Sequence, residues 1–211
     1  VRSISITDTT EAIAANIDKL KQIGLRIKSI SQTNSSEKIA ITADQVKSAQ
    51  SVLTKILTPY QLAVLEARTN QLVDLNANSK VFSINIVDNS VNISKNWGVL
   101  NQISDHLSSV VVTDQITPGP ITISADQLAV SSTLVSKFNA TGFSLALTDV
   151  SASEAEALSD LEEVVSIKIA DSGDNIASTI AASSDLFTNS KIESITVSDR
   201  KTITLTAADF K

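Results

Sequence analysis

The chain has 211 residues and a formal net charge of −6, with 42% apolar and 3% aromatic residues. An acidic chain with few aromatic side chains and no basic stripe is not a nucleic-acid-binding protein, and no apolar run is long enough for a membrane helix. Cys and Met are both absent, which excludes a disulfide scaffold, a thiol nucleophile and a cysteine metal site. With abundant Ser, Thr, Asn and Asp, this composition favours an exported bacterial protein.

The first predicted element is a strand in which apolar and small polar residues alternate, as in a half-buried strand. It occurs three times, at residues 3–8, 83–88 and 166–171. A helical pattern follows each copy, roughly at residues 10–23, 91–104 and 174–186. Because Asp8, Asp88 and Asp171 end the three strands, we predict that they are the N-caps of these helices.

A second strand is predicted at residues 27–31, 107–112 and 192–197, followed by a short polar turn. The spacing leaves open whether this turn is a hairpin or an arc. The third strand begins at Ile39, Ile121 and Ile203, so its copies are 82 residues apart. In two copies it ends in Ser/Thr-x-x-Gln, the signature of a capping box at a helix start.

Helices are predicted after this third strand at residues 43–57 and 125–138, and a fourth strand at 62–65 and 144–147. A short helix closes each unit, near residues 69–75 and 152–163. In the second copy Ser151 and Glu154 have the spacing of another capping box.

These elements predict an α/β fold. Short strand–helix–strand steps make parallel neighbours with right-handed crossovers, and alternating strands are covered by helices on one face. We therefore expect a one-sided right-handed β/α solenoid with short parallel strands, covering helices and super-repeats of about 82 residues. The chain reads as one repeat array, 1–211, with units of about 1–79, 80–162 and 163–211. The last unit is incomplete, and we expect a fragment of a longer chain.

Three stretches, SISITD from Ser3, SINIVDNSVNI from Ser83 and TITLTAADF from Thr202, resemble tandem repeats of large bacterial surface proteins. Those proteins are exported by type I secretion, often carry RTX calcium-binding tracts, and act as adhesins or surface-layer components. The resemblance implies an extracellular, non-catalytic stalk or lattice segment, with no catalytic residues to transfer. Its partners would be neighbouring repeats, further copies of the chain or a cell-surface glycan. Five Gly and no Gly-Gly-x-Gly-x-Asp repeat argue against an RTX calcium roll in this chain.

Two groups of residues are candidates for binding. Asp171 and Asp174 flank Gly173 and could hold calcium, which prefers oxygen ligands; helix capping and turn formation explain their position without any metal. The Ser/Thr-rich strand face, represented by Thr122, Ser166 and Thr204, could recognise a glycan, or it could be an ordinary solvated sheet face.

No catalytic constellation is evident in the sequence. His106, the only histidine, follows Asp105, but no Gly-x-Ser-x-Gly elbow accompanies them. The single tryptophan, Trp97, is predicted to pack in the core or at a contact between repeats. We therefore predict a protein that is not an enzyme.

Overall fold

Parallel β-strands form three sheets within residues 3–114, 119–138, 142–182 and 188–206, the part of the chain that a computed structural model describes. The strands are Ile4–Asp8 (β1), Ile27–Gln32 (β2), Ile39–Thr42 (β3), Leu62–Ala67 (β4), Val81–Asp88 (β5), Leu107–Val112 (β6), Ile121–Ser124 (β7), Leu145–Val150 (β8), Val164–Asp171 (β9) and Ile192–Val197 (β10). One sheet is the pair β1-β2, and the others have the orders β3-β4-β5-β6 and β10-β9-β8-β7. The α/β prediction with parallel strands is confirmed.

Short helices connect these strands. They are Thr10–Ala15 (α1), Ile17–Gln22 (α2), Ala43–Ser48 (α3), Gln50–Leu53 (α4), Leu72–Asn76 (α5), Ser90–Lys95 (α6), Trp97–Gln102 (α7), Ala125–Ala129 (α8), Ser132–Val135 (α9), Ala155–Ser159 (α10) and Gly173–Ala182 (α11). Three-residue 3₁₀ turns precede β2, α5 and β6 at Gly24–Arg26, Thr69–Gln71 and Ser104–His106. None of the helices among the described residues is long and apolar enough to span a membrane.

Four of the predicted long helices are in fact pairs of short ones. The first break lies at Asn16 (φ −108°, ψ 13°) and an equivalent one at Asn96 (φ −107°, ψ 13°). At each, the Asn side-chain nitrogen donates to the carbonyl four residues back, on Ala12 or Asn92, at 2.9 Å. A side chain that occupies this carbonyl competes with the helix hydrogen bonds, which hydrophobic periodicity does not reveal.

The turn between the second and third strands is not a hairpin, because β2 and β3 belong to different sheets. Each four-stranded sheet instead combines the third and fourth strands of one sequence unit with the first and second strands of the next. The sequence units that we defined therefore begin in the middle of a sheet. The described residues divide into two compact units, one reaching to Asp88 with Val99–Val111 added, the other comprising Asn89–Gly98 and the residues from Val112 onward.

Burial alternates along the central strands, as the sequence pattern predicts. In β5, Val81, Ile84, Ile86 and Asp88 are buried, whereas the residues between them are at least partly exposed. Each buried aliphatic side chain contributes about 1.5–3 kcal/mol relative to an exposed one. Helices and strands are thus held together mainly by Ile, Leu and Val on one face of each sheet.

Two local predictions were wrong. Residues 201–206, predicted to contain the third copy of the third strand, form no strand. Each of the other copies, β3 and β7, pairs with a fourth strand, β4 or β8, and none follows residues 201–206 among the described residues. The box at Ser151 is also not formed: its Oγ donates to a Glu154 carboxylate oxygen, and α10 begins only at Ala155.

The helix caps after the first strand lie one residue later than predicted. Asp8, Asp88 and Asp171 still belong to their strands. The N-caps of α1 and α6 are Thr9 and Asn89, whose side chains accept from the N–H three residues on. The strand-end Asp residues are thereby left to reach other partners.

Two capping boxes are confirmed and should matter equally. Thr42 accepts from the Gln45 N–H, and Ser124 accepts from the Gln127 N–H; both Gln side chains bond back to the N-cap N–H. We expect Thr42→Ala and Ser124→Ala each to lower the free energy of unfolding by about 1 kcal/mol. Urea titration followed by circular dichroism measures the change, with Thr42→Ser as the control that keeps the hydroxyl. Equal stability of Thr42→Ala and the unmodified chain would contradict the expectation.

Candidate functional site

Strand-end carboxylates accept hydrogen bonds from the start of a neighbouring helical turn at equivalent places in the two units. The Asp88 Oδ2 accepts from the backbone N–H of Thr69 at 2.9 Å and from its hydroxyl at 2.8 Å. In the second unit, the Asp171 Oδ2 accepts from the Ala152 N–H at 3.0 Å. Both bonds join the end of a first strand to the turn that follows a fourth strand. They satisfy N–H groups at helix starts that would otherwise lack a partner.

A second set of polar side chains lies just after the second strands. Asn34 accepts from the Thr10 N–H at 2.7 Å, and Asp199 accepts from the Gly173 N–H at 3.1 Å. In the middle copy, Asp114 accepts from both the N–H and the hydroxyl of Ser90. In each case, a side chain in the loop after the second strand accepts from a backbone N–H at the start of a helix. Asp114 and Asp199 therefore have a structural role at these positions.

The two predicted calcium ligands are occupied by protein donors. Asp171 accepts from the Ala152 and Ser172 N–H groups and from the Asn175 side chain. Asp174 pairs with the Lys201 ammonium group at 2.8 Å. Within the described residues no group of three or more His, Cys, Asp or Glu side chains could hold a metal ion. Hydrogen atoms pointing at the carboxylate oxygens disfavour a cation there, and the calcium assignment stays a prediction.

These hydrogen bonds set the pH dependence of stability. Burial opposes ionisation of Asp171, yet the hydrogen bonds from Ala152, Asn175 and Ser172 together outweigh it and lower its pKa below the ordinary 3.8. The N–H groups of Lys201 and Gly173 lower the pKa of Asp199 in the same direction. An acid whose pKa is lower when folded stabilises the protein above its unfolded pKa. The contribution is lost as the pH falls through the lowered value.

We therefore expect the free energy of unfolding to fall on acidification below about pH 4. Urea titrations at pH 7, 5 and 3 measure it for the unmodified chain and for Asp171→Asn. The difference in the free energy of unfolding between the two proteins should be about the same at pH 7 and pH 5 and smaller at pH 3. A difference that grows toward pH 3 would contradict the lowered pKa of Asp171.

The predicted Ser/Thr face is only partly assembled. Thr122 of β7 pairs with Ala146 of β8, which pairs with Ser166 of β9, so Thr122 and Ser166 share one row across the sheet. Thr122 is exposed, whereas the Ser166 hydroxyl donates to a Glu193 carboxylate oxygen at 2.6 Å. Thr204 lies outside every strand, so it does not extend this row.

The other singled-out residues divide into core and surface. Trp97 is 1% exposed, donates its indole N–H to Ser131 at 2.9 Å and stacks on Phe138 with 5.8 Å between ring centroids. Its predicted core role is confirmed. Asp105 and His106 are exposed in the 3₁₀ turn before β6.

A pocket of about 400 Å³ lies at the amino ends of β4, β5 and β6, in the first unit. It is lined by Gln61, residues 81–83 and residues 105–108. Phe82 is the aromatic residue in its wall and is 50% exposed. The strand pattern did not point to it, but a signal exists: Val81 and Phe82 are adjacent apolar residues just before the alternating run, as Val164 and Val165 are in β9.

A larger groove of about 590 Å³ runs between α3 and α5 in the same unit. Its charged side chains carry both signs: Asp44, Lys47, Glu66, Arg68 and Asp74. Glu66 adopts a positive φ of 53°, and Asp149, its counterpart in the second unit, has 55°. The shared conformation makes this turn a feature of the fold, and the mixed charges select no one class of ligand.

Comparison with known proteins gives no family assignment. The chain matches no protein-family model and no curated protein. The geometry of the described residues is therefore the basis for the functional proposals.

Proposed function

We propose that the chain is a non-catalytic structural and adhesive repeat module of a secreted bacterial surface protein. In this proposal it is a one-sided right-handed β/α solenoid whose super-repeats of about 82 residues serve as a stalk or a lattice segment. One observation carries the proposal: the same side-chain-to-backbone hydrogen bonds recur at equivalent places. The bond from the Thr69 N–H to Asp88 recurs as the bond from the Ala152 N–H to Asp171, although the donor residues differ.

Recurrence of structural bonds is what a repeat array requires. Each repeat of such an array is stabilised by its own elements and by its neighbours, so linking hydrogen bonds must be present in every copy. An enzyme would need a local departure from the repeat, where a nucleophile, a base and an orienting group converge. Here the buried carboxylate Asp88 is engaged by backbone and hydroxyl donors, as a structural group would be.

The shared sheets support the same proposal. In the first unit β3 and β4 come from one sequence repeat and β5 and β6 from the next. Successive repeats joined through a hydrogen-bonded ladder resist separation, because several backbone hydrogen bonds must break together. This arrangement suits a load-bearing segment of a surface protein.

The outermost strand supports association with a further repeat of the same kind. Leu107 and Val110 in β6 are 2% and 1% exposed, whereas Ile192 and Ile195 at the matching places in β10 are only half-buried. In the first unit, the matching edge of β2 is bonded by the segment after α4: Ile30 donates to Lys55 at 2.8 Å and accepts from Leu57 at 2.9 Å. A further repeat, from the same or another chain, would bond to the edge of β10 and bury its half-buried isoleucines in the same way.

X-ray scattering with size-exclusion chromatography and light scattering tests the proposal. A globular chain of this length has a radius of gyration of roughly 17 Å. We expect a monomer with a clearly larger radius in EDTA, as an elongated array requires. Oligomers or sheets that form only in millimolar calcium would indicate a metal-assisted lattice and would support Asp171 and Asp174 as calcium ligands. A monomer of globular radius in both buffers would count against the solenoid.

The second candidate function is glycan recognition through the Ser/Thr face. It is favoured by the row of small side chains, Thr122, Ala146 and Ser166, which leaves a flat approach to the sheet. We expect Thr122→Trp to abolish retention on immobilised glycans without changing the melting temperature. Unchanged retention, or no retention by the unmodified chain on a broad glycan panel, would exclude this face.

A further inference from the structure

We propose that the pocket beside Phe82 is a saccharide-binding site, distinct from the Ser/Thr face and not assumed in the repeat-module proposal. The ligand class is a pyranose with an apolar C–H face, which would lie on the Phe82 ring. Its hydroxyl groups would bond to Asp105, His106 and Gln61 around the same pocket. Ligand sites typically combine an apolar wall with a few polar groups that fix orientation.

A β-bulge places Phe82 in this position. Leu62 of β4 pairs with Val81, but the next residue, Ala63, pairs with Ser83, so Phe82 is the extra residue in β5. A bulge changes the direction of a side chain relative to the regular strand. The ring is therefore removed from the buried face and left 50% exposed.

The bulge itself belongs to the fold, but the aromatic ring does not. In β9 the same shift occurs between Leu145 and Ala146, and the extra residue there is Val165. Because Val165 satisfies the second unit, the geometry does not require Phe at position 82. Phe82 therefore places an aromatic ring where the second unit has a half-exposed aliphatic side chain.

The Phe82 ring has a lysine contact as well as the pocket residues. The Lys38 ammonium group lies 4.0 Å from the Phe82 ring centroid, and Lys38 precedes β3. Asp105 and His106 precede β6, on the opposite side of β5 in the sheet order. A cation–π contact of this kind orients the ring, and half of the side chain stays exposed.

The polar side chains around the pocket are free to bind a ligand. Within the described part of the chain, the side chains of Asp105, His106 and Gln61 form no hydrogen bond, and both Asp105 and His106 are exposed. A carboxylate accepts two or more O–H bonds, and a carboxamide both donates and accepts. Together these groups can pair with vicinal hydroxyls, which act as donors and acceptors at once.

The matching place in the second unit has lost this chemistry. His106 directly precedes β6, and Lys191 directly precedes β10; the Lys191 ammonium group donates to the carbonyls of Ser159 and Leu161. The Lys191 ammonium group is thus occupied by backbone carbonyls, and the bulge in the second unit carries Val165 instead of Phe. The second unit is thus an internal control for a site that only the first unit assembles.

Saturation-transfer NMR on the full chain tests the site with three probes: methyl β-D-galactopyranoside, chitotriose and cellotriose. We expect at least one probe to bind, Phe82→Val to weaken it tenfold or more, and Asp105→Asn to weaken it severalfold. Phe82→Val should fold normally because Val165 occupies the equivalent bulge, and melting temperatures confirm this. Leu25→Ala removes a fully exposed leucine of the same unit and should leave binding unchanged.

The outcomes separate the proposals. Binding of no probe, or binding that Phe82→Val leaves intact, overturns the inference. Loss of binding in Thr122→Trp with full binding in Phe82→Val assigns recognition to the Ser/Thr face and also overturns it. Retention of the unmodified chain, but not of Phe82→Val, on the bound sugar displayed along a polymer, at concentrations below those at which the free sugar binds, supports the site and identifies a multivalent surface glycan as the source. None of these results changes the scattering test of the repeat module.

Discussion

Trp97→Ala is expected to lower the free energy of unfolding of the second unit by about 4 kcal/mol. The indole is 1% exposed, and its ring stacks on Phe138. Removing it leaves a cavity that rigid neighbouring strands cannot fill, so lost burial and lost packing add together. It also leaves the buried Ser131 hydroxyl without its indole donor.

Urea titration followed by circular dichroism measures this effect, since the variant has no tryptophan fluorescence. Trp97→Phe is the matched control: it keeps an aromatic ring next to Phe138 and loses the bond to Ser131, so we expect a smaller loss of about 2 kcal/mol. In the unmodified chain, fluorescence of the single tryptophan reports on the second unit. A Trp97→Ala protein within 1 kcal/mol of the unmodified chain would contradict the core assignment.

Asp88→Ala should produce the second largest effect, a loss of about 3 kcal/mol in the first unit. The carboxylate is 1% exposed and accepts two hydrogen bonds from Thr69. Removing a buried charged acceptor strands both donors away from water, and this desolvation costs more than the bonds contribute net. The Arg68 guanidinium lies 4.0 Å away and is 64% exposed, so its contribution is small.

Asp171→Ala provides the comparison in the second unit. Asp171 is less buried and Ala152 offers it only a backbone N–H, so we expect a loss of about 1 kcal/mol. A third variant, Thr69→Val, removes the hydroxyl donor but keeps the N–H and should fall between them. Chemical denaturation of the three variants gives the order. If Asp88→Ala were no worse than Asp171→Ala, burial would not govern the strength of these caps.

The strands and helix starts were predicted mainly from alternation and capping patterns, because both patterns are local. The strands around Ile84 and Ile167 alternate after the bulge at their start, and the boxes at Thr42 and Ser124 need only residues three positions apart. Local patterns specify which segments become strands and where helices begin after the third strand. They did not reveal the break at Asn16, where a side chain competes with backbone bonds of its own helix.

Contacts between segments distant in the sequence were harder to predict than the segments themselves. The exposure of Phe82 was not predicted, because it depends on the register between β4 and β5, and register is a property of two strands. The partners of Asp88 and Asp171 were missed for the same reason: Thr69 and Ala152 lie 19 residues away in the sequence. Asp88 and Asp171, which we predicted to cap the following helix, instead bond to a turn that precedes them in the sequence.

By itself, the sequence determined the α/β class, most strand positions, the capping boxes at Thr42 and Ser124 and most apolar residues of the core. These follow from periodicity and short-range hydrogen bonding, which act within a few residues. Only the tertiary structure decided which strands share a sheet, where the bulges lie, which helix start each strand-end Asp reaches, and that residues 201–206 form no strand. All of these depend on a partner strand or turn distant in the sequence, because a parallel ladder and a buried carboxylate are each completed by groups that local pattern does not specify.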